Sequence, residues 1–235
     1  MAGIFIAATG TEIGKTFITA QLLQYGQHRR QPFWVSKPVI SGWPQTAEAI
    51  PETDTAILLK AAALPLDDAH IQAISPWRFT LPLTPDMAAK AEGSPIDIDE
   101  LIAFCQHRSE LAKAQGKIHL IEGVGGLMSP INGRFTNLEW IKALNSRCIL
   151  VTGSYLGALS HTLTALQVLW MQKIEVIAVV VNASFQSRVS LQATSDYLKE
   201  YVVDIPVITI PWQQNAAYAH NLPLLYDVLL QEAAN

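Results

Sequence analysis

The segment Ala8-Thr9-Gly10-Thr11-Glu12-Ile13-Gly14-Lys15-Thr16 decides how this chain is read. Ile4-Phe5-Ile6-Ala7 before it is an apolar run with the character of a buried strand. From Phe17 to Gln27 after it, apolar residues recur at helical spacing. A strand, a tight turn ending Gly-Lys-Thr and a helix make the layout of a phosphate-binding loop. Gly14 lets the backbone approach a phosphate, and the free N–H groups and dipole of the helix start favour its charge. Lys15 reaches β/γ oxygens, and the Thr16 hydroxyl suits Mg2+. The spacing departs from the common pattern, because Thr9 stands five residues before Gly14 and the glycine comes one residue later, at Gly10.

Outward from this loop, apolar runs recur at Trp34–Val39, Ile118–Ile121, Cys148–Thr152, Val176–Val181 and Val207–Ile210. Helical patterns fall between most of them: Asp54–Ala63, Asp97–Gln115, Leu138–Leu144, Ala158–Gln172 and Ser190–Tyr201, with a last short one around Leu224–Glu232. Near-continuous apolar strands alternating with helices predict a three-layer α/β fold, a mostly parallel sheet covered on both faces, of the P-loop NTPase kind. Residues 42–95 are rich in proline and contain one clear helix candidate. They read as a substrate-side excursion from a single ATP-binding domain over residues 1–235, since connections this long are often functional.

Composition narrows the function. The chain has 235 residues, 50% hydrophobic and 15% charged, with a formal net charge of -4. That suits a sizeable buried core and gives no basic footprint for nucleic acid. Cys105 and Cys148 lack metal-ligand spacing and read as buried thiols in a reducing cytoplasm. No secretory leader is evident. Residues 148–172 carry no Asp, Glu, Lys or Arg, but Gly153, Gly157, Ser160, His161 and Thr162 read as strand, turn and amphipathic helix, not a membrane span.

Ligands of open parallel sheets sit at the carboxyl ends of the strands. Three residues there invite chemistry. Glu122 leads into Gly123-Val124-Gly125-Gly126, as a metal-binding carboxylate or a turn former. Asp54 stands near the start of a helix, as a second ligand or as dipole compensation or a cap. Lys37, beside Pro38, is a cation for phosphoryl transfer or an edge lysine, and Ser41-Gly42 follows as a hydrogen-bond donor or a turn.

Together these motifs resemble the dethiobiotin synthetase family. The resemblance continues through Leu156-Gly157-x-Leu159-x-His161, Asn182 and Ile210-Pro211-Trp212, in order along nearly the whole chain. It implies an enzyme that closes a cyclic urea on 7,8-diaminopelargonic acid with CO2 and ATP, with Mg2+ as cofactor. It implies that Glu12, Ile13, Gly14, Lys15, Thr16 and Phe17 wrap the phosphates, and that Thr16, Asp54 and Glu122 hold Mg2+. Lys37 and Lys15 become the catalytic cations. Gly123, Val124 and Gly125 line the site, Asn182 reads the adenine edge, and Pro211, Trp212 and Gln213 flank the base. Thr11 and Ser41 face the diamine. Leu156, Gly157 and Ser160 take the distal carboxylate, from the second subunit of a homodimer. The chain departs from the family in two places: it has Ala8-Thr9-Gly10-Thr11 where Gly-Thr-Asp-Thr is usual, and Pro85-Asp86 where Pro-His is common.

ATP-driven partitioning switches share this kind of loop. They usually carry a further lysine early in it, whereas Ala8 to Glu12 has none, and the tail Leu222–Asn235 has no Lys or Arg for a membrane or DNA. A module without catalysis would not need Lys37, Asp54 and Glu122 together. A cobyrinate-amidating relative needs a glutamine-hydrolysing domain for which the chain has no room.

Overall fold

The computed structural model describes residues 3–184, 187–211 and 221–234. Its strands in chain order are β1 (Ile4–Ala8), β2 (Trp34–Ser36), β3 (Val39–Ser41), β4 (Trp77–Phe79), β5 (His119–Glu122), β6 (Pro130–Asn132), β7 (Phe135–Thr136), β8 (Cys148–Gly153), β9 (Val176–Asn182) and β10 (Val207–Ile210). Six of them form one parallel sheet in the order β10-β9-β8-β1-β5-β2.

Alternation along β1 builds the two faces. Ile4, Ile6 and Ala8 join a core with Ile18 and Leu22 of the helix Lys15–His28, Leu58 of the helix Asp54–Ala61, and Leu225 of the helix Leu222–Ala234. Phe5 and Ala7 face the other way, toward Leu101 of the helix Ile98–Ala114, Trp140 of the helix Asn137–Ala143 and Leu166 of the helix Ala158–Met171. Phe5 meets Trp140 edge to face, with ring centroids 5.2 Å apart. Two apolar cores on opposite faces of one parallel sheet are the expected three layers.

The topology places the phosphate loop. From central β1, the chain runs to β2 and β5 on one side and to β8, β9 and β10 on the other. Crevices at such a reversal receive ligands, and the loop after β1 opens into this one.

Two expectations need correction. The single strand over Trp34–Val39 is broken into β2 and β3. Pro38 has no N–H for the ladder, and the Lys37 N–H turns aside to the Ile74 carbonyl at 3.1 Å. β3 pairs instead with β4, in a separate parallel pair. The excursion also holds more than one helix. Besides Asp54–Ala61 it contains a 3-10 turn at Ala47–Glu52 and helices at Asp68–Ile74 and Pro85–Ala91. Seven residues give too few turns for apolar periodicity to register. Only the ends signal them: Asp67 caps one by accepting from the His70 N–H, and Pro85 stands in the first turn of the other. No helix among the described residues is long and apolar enough to cross a membrane.

Candidate active site

The loop after β1 is held in an unusual backbone conformation. Glu12 and Gly14 both take positive φ, 57° and 98°. At Gly14 the left-handed geometry and the Asn182 side chain, against which any Cβ would press, both demand glycine. Gly14 also starts the helix Lys15–His28, which has no side-chain cap and no acidic residue in its first turn. Its amides and dipole therefore remain available to an anion.

Lys15 folds back over this loop. Its ammonium donates to the Gly125 carbonyl at 2.7 Å and the Gly10 carbonyl at 3.3 Å. Burial, and then the nearby Lys37 ammonium, bring its pKa down to about 8, against weaker support from Glu122 and Asp54.

Beneath the loop lies a compact charged cluster. Thr16 Oγ1 and Lys37 Nζ both donate to Glu122 Oε1, each at 2.6 Å. Lys37 Nζ also reaches Asp54 Oδ2 at 3.0 Å. Burial works against the Lys37 charge, but Glu122 and Asp54 outweigh it and hold its pKa above the ordinary lysine value. Asp54 does not cap its helix, since Thr53 does that by accepting from the Ala56 N–H. Its carboxylate is left to Lys37, and its side chain is 43% exposed toward the crevice.

The other Glu122 oxygen, Oε2, is buried with no hydrogen-bond partner among the described residues. An orphaned carboxylate oxygen beside a threonine hydroxyl and a second carboxylate fits Mg2+. The described residues contain no group of three or more His, Cys, Asp or Glu that could hold a metal by themselves.

The cluster opens into a cavity of about 800 Å³. Thr11, Glu12, Gly14, Lys15, Thr16, Lys37, Ser41, Asp54, Val124 and Gly125 line it. Pro82 to Pro85 and Met87, from the proline-rich stretch 42–95, line it as well. Ser41 Oγ is buried there with no hydrogen-bond partner among the described residues.

Several expected residues lie elsewhere. Ile13 offers its carbonyl to the Asn182 side-chain amide at 3.0 Å, so Asn182 braces the loop. Phe17 is outside the cavity lining, and Gly123 packs against Phe5 and Asn137, where a Cβ would clash. Leu156, Gly157 and Ser160 stand exposed at the start of the helix Ala158–Met171, and none of them lines the cavity. Pro211 follows β10, while Trp212 and Gln213 lie outside the described residues. Gly10 has room for a side chain, whose Cβ would meet Ile13 at an ordinary 3.5 Å. Asp86 is turned away, holding Lys90 at 2.7 Å and the Gly133 N–H at 3.0 Å.

A family model described as an AAA domain matches residues 2–216. An ATP-dependent dethiobiotin synthetase BioD of Methylobacterium nodulans is 45% identical over 183 residues, spanning 77% of this chain and 81% of the relative. The chain belongs to the dethiobiotin synthetase family. The dethiobiotin synthetase BioD of Phenylobacterium zucineum is 37% identical and covers 94% of both chains. Among solved structures, the MinC:MinD cell division complex of Aquifex aeolicus superposes with a TM-score of 0.56 at 12% identity, covering all of this chain and 97% of that one. At that identity the likeness speaks for the P-loop fold alone.

Sequence reasoning passed over one group near the site. Ser36, Arg108, Ser109 and His119 join in a buried polar network directly before Lys37. The available signal was a serine and a histidine inside otherwise apolar strands.

Proposed function

We propose that this chain is an ATP-dependent cyclo-ligase that carboxylates 7,8-diaminopelargonic acid and closes the ureido ring of dethiobiotin. The observation that carries the reading is the convergence of Lys15, Thr16 and Lys37 on one crevice, with the buried Glu122 carboxylate bonded to the last two, in a chain whose relatives bear that enzyme's name.

The chemistry asks for positioning and charge. One substrate amine adds to CO2, losing a proton to give a carbamate. A carbamate oxygen then attacks the γ-phosphorus, and ADP leaves. The second amine attacks the resulting carbonyl, phosphate departs and the ring is closed. The amides of Glu12 to Phe17 and the Lys15 ammonium take the triphosphate at the helix start. Lys37 offsets the negative charge that develops on the transferring phosphoryl group. Thr16, Asp54 and Glu122 would hold Mg2+, which when bound neutralises β/γ oxygens. Thr11 and Ser41 meet the diamine, and Val124 and Gly125 form the wall. Asn182 and the stretch Pro211 to Gln213 serve the adenine.

Residues 1–235 act as one ATP-binding unit, with 42–95 closing its substrate side. The active form is a homodimer, with Leu156, Gly157 and Ser160 of one subunit supplying the carboxylate site of the other. One observation favours this: Leu156 is 92% exposed and Met128 55%, large apolar groups left open to solvent. The two free, buried cysteines suit a cytoplasmic enzyme.

Diaminopelargonate, bicarbonate and MgATP, incubated with the protein and followed by mass spectrometry, should yield dethiobiotin and ADP. ATP breakdown that ignores the diamine would refute the reading and favour a nucleotide switch.

A further inference from the structure

β2 has only three residues and lies at the edge of the sheet, paired on one side alone. Its register with β5 sets Trp34 beside His119, Val35 beside Leu120 and Ser36 beside Ile121. Continued by one residue, that register brings Lys37 to Glu122. With so few ladder bonds, side chains must share in fixing this register, since a slip of one residue would send them to the wrong face.

A side-chain network supplies what the backbone lacks. Arg108, on the helix Ile98–Ala114, lies over the Trp34 ring with its guanidinium carbon 4.6 Å from the centroid. It donates to the Val35 carbonyl at 3.2 Å and to Ser36 Oγ at 3.4 Å. Ser36 Oγ also meets His119 Nε2 at 2.9 Å, and His119 Nδ1 meets Ser109 Oγ at 2.8 Å. Ser109 in turn donates to the Cys105 carbonyl at 2.9 Å.

Donor counting fixes the direction of every bond. The Ser109 proton is committed to Cys105, so Ser109 accepts from His119 Nδ1–H. His119 Nε2 is then an acceptor, and Ser36 donates to it. Arg108 completes the chain by donating to Ser36. One neutral histidine tautomer satisfies both ring nitrogens and both serine hydroxyls of this network, and Ser36 and His119 are both buried. Such a network tolerates one register only.

We propose that Ser36, His119 and Arg108 are positioning residues that lock β2 onto β5 and so hold the Lys37 ammonium against Glu122 in the geometry the reaction uses. The lock touches neither nucleotide nor substrate. It acts through Lys37, so it rests on the assignment of Lys37 to catalysis.

Threonine and valine at position 36 give the test, because they share a β-branched shape and differ in the hydroxyl. Ser36→Thr is expected to keep its kcat. Ser36→Val is expected to lose about ten- to a hundredfold in kcat, with KM for ATP and diamine changed less than about twofold. Arg108→Met should show the same split, and adding it to Ser36→Val should cost little more, as for residues of one network. Equal kcat in the threonine and valine variants would overturn the lock. So would a fall in apparent kcat that matches the loss of folded protein read by circular dichroism on the same samples, since misfolding removes active enzyme without moving KM. Should the added methyl prevent both Ser36 variants from folding, Arg108→Met decides alone, since Arg108 is only half-buried; wild-type kcat there overturns the lock. Lys37→Ala in the same assay separates the two levels. If it turns over like wild type, the role of Lys37 falls and the lock has nothing to position. If it is inactive while Ser36→Thr and Ser36→Val agree, the lock alone falls.

Discussion

Lys15 and Lys37 are both buried, both near Glu122, and held in opposite ways. Lys15 is bonded to two carbonyls and its pKa is brought down to about 8 by burial and by Lys37. Lys37 is bonded to two carboxylates and its pKa is raised. A cation resting on carbonyls has no countercharge until an anion arrives. A cation between carboxylates is already satisfied and is fixed in place. The phosphate loop is thus built to gain its partner from solution, while the floor of the crevice is built to keep its charge still.

The sharpest break of this contrast comes from removing the cations. Lys37→Ala should lower kcat about 10²–10³-fold, the usual effect of deleting one preorganised donor to developing charge. Steady-state rates with the diamine check it. Glu122→Ala tests the floor as a structural unit. It leaves the buried Lys37 ammonium with only the half-exposed Asp54, a loss of about 3–5 kcal/mol by analogy with broken buried pairs. Urea unfolding measures it. The milder Glu122→Gln should fold and raise the Mg2+ concentration needed for half-maximal turnover.

The contrast also predicts pH behaviour. Lys15 is charged in the free protein below about pH 8 and loses its proton above it. A bound triphosphate restores the charge. Nucleotide affinity should therefore be level below pH 8 and fall above it, by about tenfold per pH unit, with proton uptake on binding. Calorimetry in buffers of different ionisation enthalpy reads both. Lys37, raised by its carboxylates, contributes no such fall in this range.

His119 gives a smaller effect of opposite sense in pH. Burial, then Arg108, depress its pKa to about 3 from an ordinary 6.5. The unfolded chain takes up a proton near pH 6.5 that the native protein refuses. Stability from this group is whole above pH 6.5 and is lost as pH falls toward 3, by up to about 1.4 kcal/mol per unit. His119→Asn should flatten that acid slope in urea melts. The smallest effect expected is that of Gly10→Asp. The site has open space and Gly10 takes no positive φ, so stability should change by less than about 0.5 kcal/mol.

How legible these regions are in the sequence follows their construction. The phosphate loop is one contiguous stretch, and strand, turn and helix around it fix its place from local pattern alone. Lys37, Asp54 and Glu122 come from three separate segments, each with a bland reading of its own. Family resemblance, not periodicity, assembled them, and the geometry then trimmed the bland readings: Lys37 is buried, and Thr53 rather than Asp54 caps the helix, although Asp54 remains the acidic residue of its first turn. The lock was invisible because Ser36, Arg108 and His119 are individually ordinary and meet only through the register of an edge strand. The short helices of the excursion were missed because their evidence lies in capping residues instead of period. Leu156, Gly157 and Ser160 were brought forward by resemblance alone, and they stand exposed outside the cavity lining.

The division of labour between the lysines is tested most directly by measuring the ATP dissociation constant and kcat together in Lys15→Ala and Lys37→Ala. Lys15→Ala should weaken nucleotide binding by at least about tenfold, whereas Lys37→Ala should bind ATP within about threefold of wild type and yet fail to turn over. Wild-type turnover in Lys37→Ala, or the same loss of ATP affinity in both variants, would contradict it.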